Sequence, residues 1–241
     1  MQNTSALYNQ IIESPLHFFE TKVVVNGNDV NQNNLFAVDR SRPGVGNEFP
    51  SIGSALSATL TMTMLNQSFT IPEMAEIKVY CRAVMVDDSQ QTRVESEWLS
   101  QGTYYIDTRE LTEANTLVIT AYDAMLKAEK QYPSTNHAWP YPDIAVVREI
   151  AADIGCTVDS RTVALMTADI MISLPASYTE REVLSYIASA YSGNFVITDE
   201  NALLLVPLYG NNDDFLVGNY LADDDGTTAL LFGNEGWFIL V

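Results

Sequence analysis

The chain has 241 residues, 47% of them apolar, and carries a formal net charge of −19 from 31 acidic and 12 basic side chains. That length supports one large or two modest domains, each with its own core, and the apolar content sets it apart from disordered sequences. The acidic field repels phosphate backbones and anionic membranes, so sequence-specific nucleic-acid binding and membrane insertion are not expected, and no apolar run approaches the ~18 residues a spanning helix needs.

The first expected element is a helix over Thr4–Ile12, with Leu7, Tyr8, Ile11 and Ile12 on one side and Ser14-Pro15 ending it. Phe18–Val25 reads as a strand, and Asn26-Gly27-Asn28-Asp29 as a hairpin turn. Ser41–Phe49, with Pro43, Gly44 and Gly46, reads as a loop. Ala55–Leu65 alternates Leu56, Ala58, Leu60, Met62 and Met64 against serine and threonine, the period of a half-buried antiparallel strand. Glu76–Val86, Trp98–Asp107 and Asn115–Asp123 continue as strands, separated by polar turns at 87–92 and 108–113. Ala124–Gln131 reads as a short helix.

The proline-rich run HAWPYP, His137–Pro142, marks the expected domain boundary. Beyond it a helix is expected over Asp143–Ile154, stopped by Gly155, followed by an extended run over Met166–Leu174. Thr179 and Glu182 form a capping box for a second helix, whose face carries Val183, Leu184, Ile187, Ala188 and Tyr191 and whose expected left-handed stop is Gly193. Phe195–Thr198 and Ala202–Pro207 then form a hairpin. The resulting expectation is an α+β chain. It has an N-terminal helix (1–15), an antiparallel β barrel or sandwich (16–132), a small α+β domain (143–208), and an acidic loop with returning strands (209–241).

The chemistry-bearing residues are sparse. His17 and His137 lie 120 positions apart and neither sits in a nucleophile motif, so no catalytic residue is assigned. Cys81 and Cys156 suit reduced thiols of a protein made in the cytoplasm, and there is no paired His/Cys spacing for a metal. Asp223-Asp224-Asp225-Gly226 fails the calcium-loop pattern, because Leu221 and Phe232 fall at its first and twelfth positions. Gly44-Val45-Gly46 lacks the third glycine and flanking elements of a dinucleotide site, and no cofactor is implied. Trp98, Tyr104 and Tyr105 lack interleaved basic residues and read as core or interface.

Three segments carry a resemblance: IIESPLHFFETKVVVNGNDV near the N-terminus, IGSALSATLTMTM at Ile52–Met64, and YTEREVLSYIASAYSGNFVITDENALLLVPL at Tyr178–Leu208. Their layout resembles baseplate hub proteins of tailed phages and phage-derived contractile injection systems, of the Gram-positive type. The resemblance implies a β domain similar to a tail-tube subunit, in a homo-oligomer of three copies that joins the tube to the central spike or tip. It places the protein in the tail or baseplate of an assembled particle, with DNA passing through the lumen rather than being bound. Leu7, Tyr8, Ile11, Ile12, Trp237 and Phe238 are the expected subunit-interface residues, although the same side chains would serve equally as internal core. A tail-associated cell-wall hydrolase using paired carboxylates, and a carbohydrate-binding adhesin using Trp98, Trp139 and Trp237, stand as alternatives.

Overall fold

The computed structural model describes residues 4–42, 52–66, 70–87, 92–112, 115–133, 138–167, 170–173 and 177–207. Helix α1 (Ala6–Glu13) precedes β1 (His17–Val25), which turns sharply into β2 (Asn28–Asp29). Asn26 and Gly27 take φ of 48° and 78°, the pair of left-handed residues that a tight hairpin turn requires, and this fixes the register Val25 opposite Asn28. A 3-10 helix, Gln32–Asn34, leads into β3 (Leu35–Ser41). Then follow β4 (Ser54–Ala55), β5 (Thr59–Leu65), β6 (Glu76–Asp87), β7 (Thr92–Glu95), β8 (Leu99–Leu111) and β9 (Thr116–Tyr122).

The main sheet has the order β2-β1-β6-β8-β9-β5-β3, with β7 also on β6, and every pairing is antiparallel. Alternate residues of its strands, such as Val23, Leu60, Met62, Ile77, Tyr104 and Ile119, meet in one buried cluster. A sheet whose inward side chains all reach one another is rolled around its core, and among the described residues no pairing joins its first and last strands.

The second part holds a 3-10 helix (Ala124–Glu129), β10 (Tyr141–Pro142), α2 (Asp143–Ile154), β11 (Thr157–Val158), α3 (Ser160–Leu165), β12 (Met171–Ile172), α4 (Glu180–Ala190), β13 (Gly193–Ile197) and β14 (Ala202–Pro207). Its sheet runs β11-β14-β13-β4, with β11–β14 and β13–β4 parallel, and β10 pairs with β12. The second core joins Val147, Ile150 and Ile154 of α2 to Leu184 and Ala188 of α4 and Phe195 of β13. Because side chains alternate along β8, Tyr104 enters the first core while its neighbour Tyr105 enters the second. The architecture is α+β, built mainly on antiparallel sheet.

The helix signals hold closely. Gly155 takes φ 81° after α2, and Cys156 N–H donates to the Ala151 carbonyl at 2.7 Å. At α4, Glu182 N–H donates to Thr179 Oγ1 at 3.2 Å and Thr179 N–H donates to Glu182 Oε2 at 2.8 Å. Replacing Thr179 by Ala removes one half of this reciprocal cap and is expected to cost about 1 kcal/mol in denaturant unfolding. The stop after α4 differs from expectation: Ser192 takes the left-handed φ of 50°, while Gly193 is already a buried strand residue.

Other elements also depart from the expected ones. The expected strand 55–65 is two strands in two sheets. β4 pairs with β13, the chain crosses at 56–58, and only β5 shows the buried alternation of Leu60, Met62 and Met64. The crossing is held by Leu56 N–H donating to the Phe195 carbonyl at 2.8 Å and Ala58 N–H donating to Asp123 Oδ2 at 2.7 Å. β8 runs through the expected turn as far as Leu111, because β9 pairs with it to that point. The expected helix after Asp123 is a 3-10 helix. α3 occupies sequence just ahead of the expected extended run, and of that run's described residues only Met171–Ile172 are strand. The loop at 43–49, His137 and the acidic stretch with its returning strands lie outside the described residues.

Candidate assembly surface

Helix α1 is positioned from its first residue. Ser5 Oγ accepts from Tyr8 N–H at 3.0 Å and donates to Glu97 Oε2 at 2.6 Å, and Ser5 N–H donates to Glu97 Oε1 at 2.8 Å. These bonds, the hydroxyl's first, hold the Glu97 carboxyl below its ordinary range. Of the four residues expected at an interface here, Ile11 is fully buried and Tyr8 half-buried, whereas Leu7 and Ile12 stay exposed. Trp237 and Phe238 lie outside the described residues.

The exposed pair continues into β1. Leu16, Phe18 and Phe19 are 43–59% exposed, an unusual density of large apolar groups for three neighbouring positions. β1 pairs with β6 along its whole length, but on the other side β2 reaches only Val24 and Val25. Beyond that the edge is met by Val30 N–H on the Val23 carbonyl and by the Gln32 side-chain amide on the Thr21 carbonyl. From His17 to Val23, among the described residues, no strand covers it.

A charged lattice stiffens the same end of the sheet. Arg82 donates to Glu20 at 2.8 and 3.0 Å, Arg93 donates to Glu20 at 2.7 Å, and both arginines also reach Glu95. Burial pushes the Glu20 carboxyl up, but the two guanidinium groups outweigh it and hold the acid below its ordinary value. Arg82 also lies over the Trp98 ring, 4.4 Å from its centroid.

At the far end of the sheet β3 pairs, among the described residues, only with β5, and Phe36 is exposed. Arg40 is drawn inward there, donating to the Gln101 carbonyl at 2.5 Å and to Asp199 Oδ1 at 2.8 Å, and Arg42 meets the same oxygen at 2.7 Å. The open sheet therefore ends in two strand edges, each beside an exposed phenylalanine. Soluble proteins commonly protect such edges with charges, prolines or a covering element.

The remaining chemistry is quiet. Cys81 and Cys156 are both free and half-buried, and burial pushes the Cys156 thiol up to about 12, far from a nucleophilic thiolate. His17 Nδ1 lies 2.5 Å from the Ser14 carbonyl oxygen. No group of three metal-ligating side chains occurs among the described residues. An apolar cavity of about 330 Å³ lies between β12 and α4, lined by Ile172, Tyr178, Val183, Tyr186 and Ile187, with Asp143 accepting from Tyr191 Oη at 2.6 Å. A polar cavity of about 650 Å³ is lined by Arg42, Asp159, Arg161, Asp199 and Glu200, with Arg42 paired to Asp199 and Arg161 to Asp159. Asp153 and Glu180 form the notable carboxyl pair, but Glu180 is buried and neither residue lines these cavities. Trp139 packs edge-on against Tyr132 and Tyr141. No helix among the described residues is long and apolar enough to cross a membrane.

The exposure of Phe18 and Phe19 has no sequence signal, since a strand of alternating composition normally buries one of two adjacent phenylalanines. No family model and no curated protein matches the chain. Among solved structures, the fold is similar to the crystal structure of the prophage MuSo2 43 kDa tail protein from Shewanella oneidensis. The TM-score is 0.50 at 12% identity, and the match covers 80% of this chain and 56% of that one.

Proposed function

We propose that this chain is a non-enzymatic structural protein of a phage-like tail, a baseplate hub whose copies form a ring connecting the tail tube to the central spike or tip. The observation that carries this reading is the open antiparallel sheet, with an uncovered edge at β1 flanked by Leu16, Phe18 and Phe19 and by the exposed Leu7 and Ile12 of α1. An apolar surface of this kind on an acidic chain is suited to permanent burial against other subunits. The similarity in fold to a prophage tail protein, and the hub-like layout of the three sequence segments, support the same reading. Three copies per ring is the stoichiometry adopted. A lumen lined by acidic subunits would let DNA slide through without adhering.

The purified full chain is expected to form closed rings in light scattering and negative-stain images, alone or with tube and spike proteins. Replacing both Phe18 and Phe19 by Glu is expected to abolish ring formation while leaving the melting temperature within a few degrees, because both side chains are already solvated. A wild-type chain that remains monomeric at high concentration with tube and spike partners present would overturn the reading. So would a double variant that assembles like the wild type.

A further inference from the structure

The start of α4 is clamped to the segment that follows the first 3-10 helix of the second part. Glu180 N–H donates to the Lys130 carbonyl at 2.9 Å, Tyr132 N–H donates to the Tyr178 carbonyl at 3.0 Å, and Gln131 bridges Thr179 between them. On this clamp sits a carboxyl group with almost no water: Glu180 is 1% exposed, and its Oε2 has no hydrogen-bond partner. Its neighbour is Asp153, in the last turn of α2, which forms an ion pair with Lys130. Three elements thus meet at two acids and one ammonium.

The other charged groups around the joint are committed elsewhere. Tyr132 Oη donates to Glu149 Oε2 at 2.8 Å. Arg181, next along α4, donates to the Ala55 carbonyl at 2.9 Å and to Glu129. Glu182 is bound up in the capping box. Lys130 is therefore the cation facing the pair, and it is already matched by Asp153. Two ionised carboxylates side by side, one of them buried, would leave one negative charge unbalanced.

We propose that Asp153 and Glu180 share a single proton that latches the start of α4 onto Lys130 and α2, and that withdrawing this proton loosens the joint. The proton resides on Glu180, which donates to the Asp153 carboxylate. Burial, followed by that hydrogen bond, pushes the Glu180 carboxyl up to about 8, while Asp153 is held below its ordinary value by the bonds from Glu180 and Lys130. The sign follows from proton counting. Between about pH 4.5 and 8 the unfolded chain has released the Glu180 proton and the folded chain keeps it, so rising pH disfavours the fold; above about 8 both states are ionised and the loss levels off. At the joint itself, opening becomes easier across the same range and levels off above about 8.

The test compares the wild-type chain with Glu180→Gln, which keeps a neutral donor in place. Amide exchange at Glu180 and Tyr132, corrected for intrinsic base catalysis and referred to core amides of β5 and β9, should lose protection in the wild type between about pH 5 and 8, level off above 8, and stay level throughout in the variant. In denaturant titrations, the folded-to-unfolded ratio of the wild type relative to the variant should fall by up to about tenfold per pH unit across the lower window. If Glu180→Gln does not fold, Asp153→Asn keeps Glu180 but removes the neighbouring charge, and should bring the levelling-off of protection to lower pH. A wild-type joint whose protection does not change with pH, or changes equally in Glu180→Gln, would overturn the proposal.

Discussion

Replacing Asp123 by Ala is expected to destabilise the fold by about 4 kcal/mol. The Asp123 side chain is buried, and its carboxylate accepts Ala58 N–H at 2.7 Å, Ser57 Oγ at 2.8 Å and Met125 N–H at 3.1 Å. It thereby caps the 3-10 helix and fixes the crossing of the chain from β4 to β5. Alanine leaves two backbone donors, Ala58 N–H and the capped Met125 N–H, in buried surroundings with no acceptor, at roughly 1–3 kcal/mol each. Asp123→Asn retains one acceptor oxygen but turns an amide donor towards the other N–H, and should fall between wild type and Ala. Urea titrations will show this as a lower midpoint at an unchanged slope. An Ala variant within about 1 kcal/mol of wild type would mean that the carboxylate does not hold the crossing.

Gly53→Ala is the second large effect, at about 3 kcal/mol. Gly53 has φ 81°, and a Cβ there would lie 1.9 Å from Ser189 Oγ and 3.2 Å from the Ser189 Cα of α4. Left-handed backbone costs an alanine roughly 1 kcal/mol, and overpacking a fitted contact typically adds 1–3 kcal/mol. Moving β4 away from α4 is no escape. It would strain Gly53 N–H on the Gly193 carbonyl at 2.9 Å, Ala55 N–H on Ser185 Oγ at 3.1 Å and Arg181 on the Ala55 carbonyl at 2.9 Å. Adding Ser189→Ala removes the nearest atom but leaves the Ser189 Cβ at 3.0 Å and the backbone strain, so it should recover part of the loss. A Gly53→Ala protein as stable as wild type, or full recovery in the double variant, would contradict this account.

Elements whose determinants lie within a few residues were legible in the sequence. Thr179 and Glu182 define the start of α4, Asn26-Gly27 defines the hairpin, and the spacing of Leu60, Met62 and Met64 defines the buried face of β5. Elements held by distant partners were not. β3 places adjacent Phe36 and Ala37 both in solvent, with a register shift between Leu35 and Ala37, so its alternation is blurred. α3 is one and a half turns long and is capped by Asp159, which reads as an ordinary turn residue. The alternation through Leu56 and Ala58 continued that of β5, which hid the passage of the chain from one sheet to another; that passage depends on Asp123, 65 residues away from Ala58. At the candidate surface, the period of α1 located its apolar side. It could not divide that side between Ile11, which the chain buries, and Leu7 and Ile12, which stay in solvent.

The parallel pairing of β4 with β13 has a consequence for synthesis. All strands of the main sheet are present once Tyr122 has left the ribosome, but Ser54 N–H must wait for Asn194, 140 residues later, as its hydrogen-bond partner. At a synthesis rate of roughly 5–20 residues per second that interval is roughly 7–28 s, long beside the folding time of a small β domain. Throughout it the stretch around Ile52–Leu56 stands as a templating edge on a partly finished nascent chain. On a crowded polysome the β13 of an adjacent chain reaches the same edge in competition with the chain's own. Strong overexpression should therefore yield strand-exchanged oligomers, and slower initiation should suppress them.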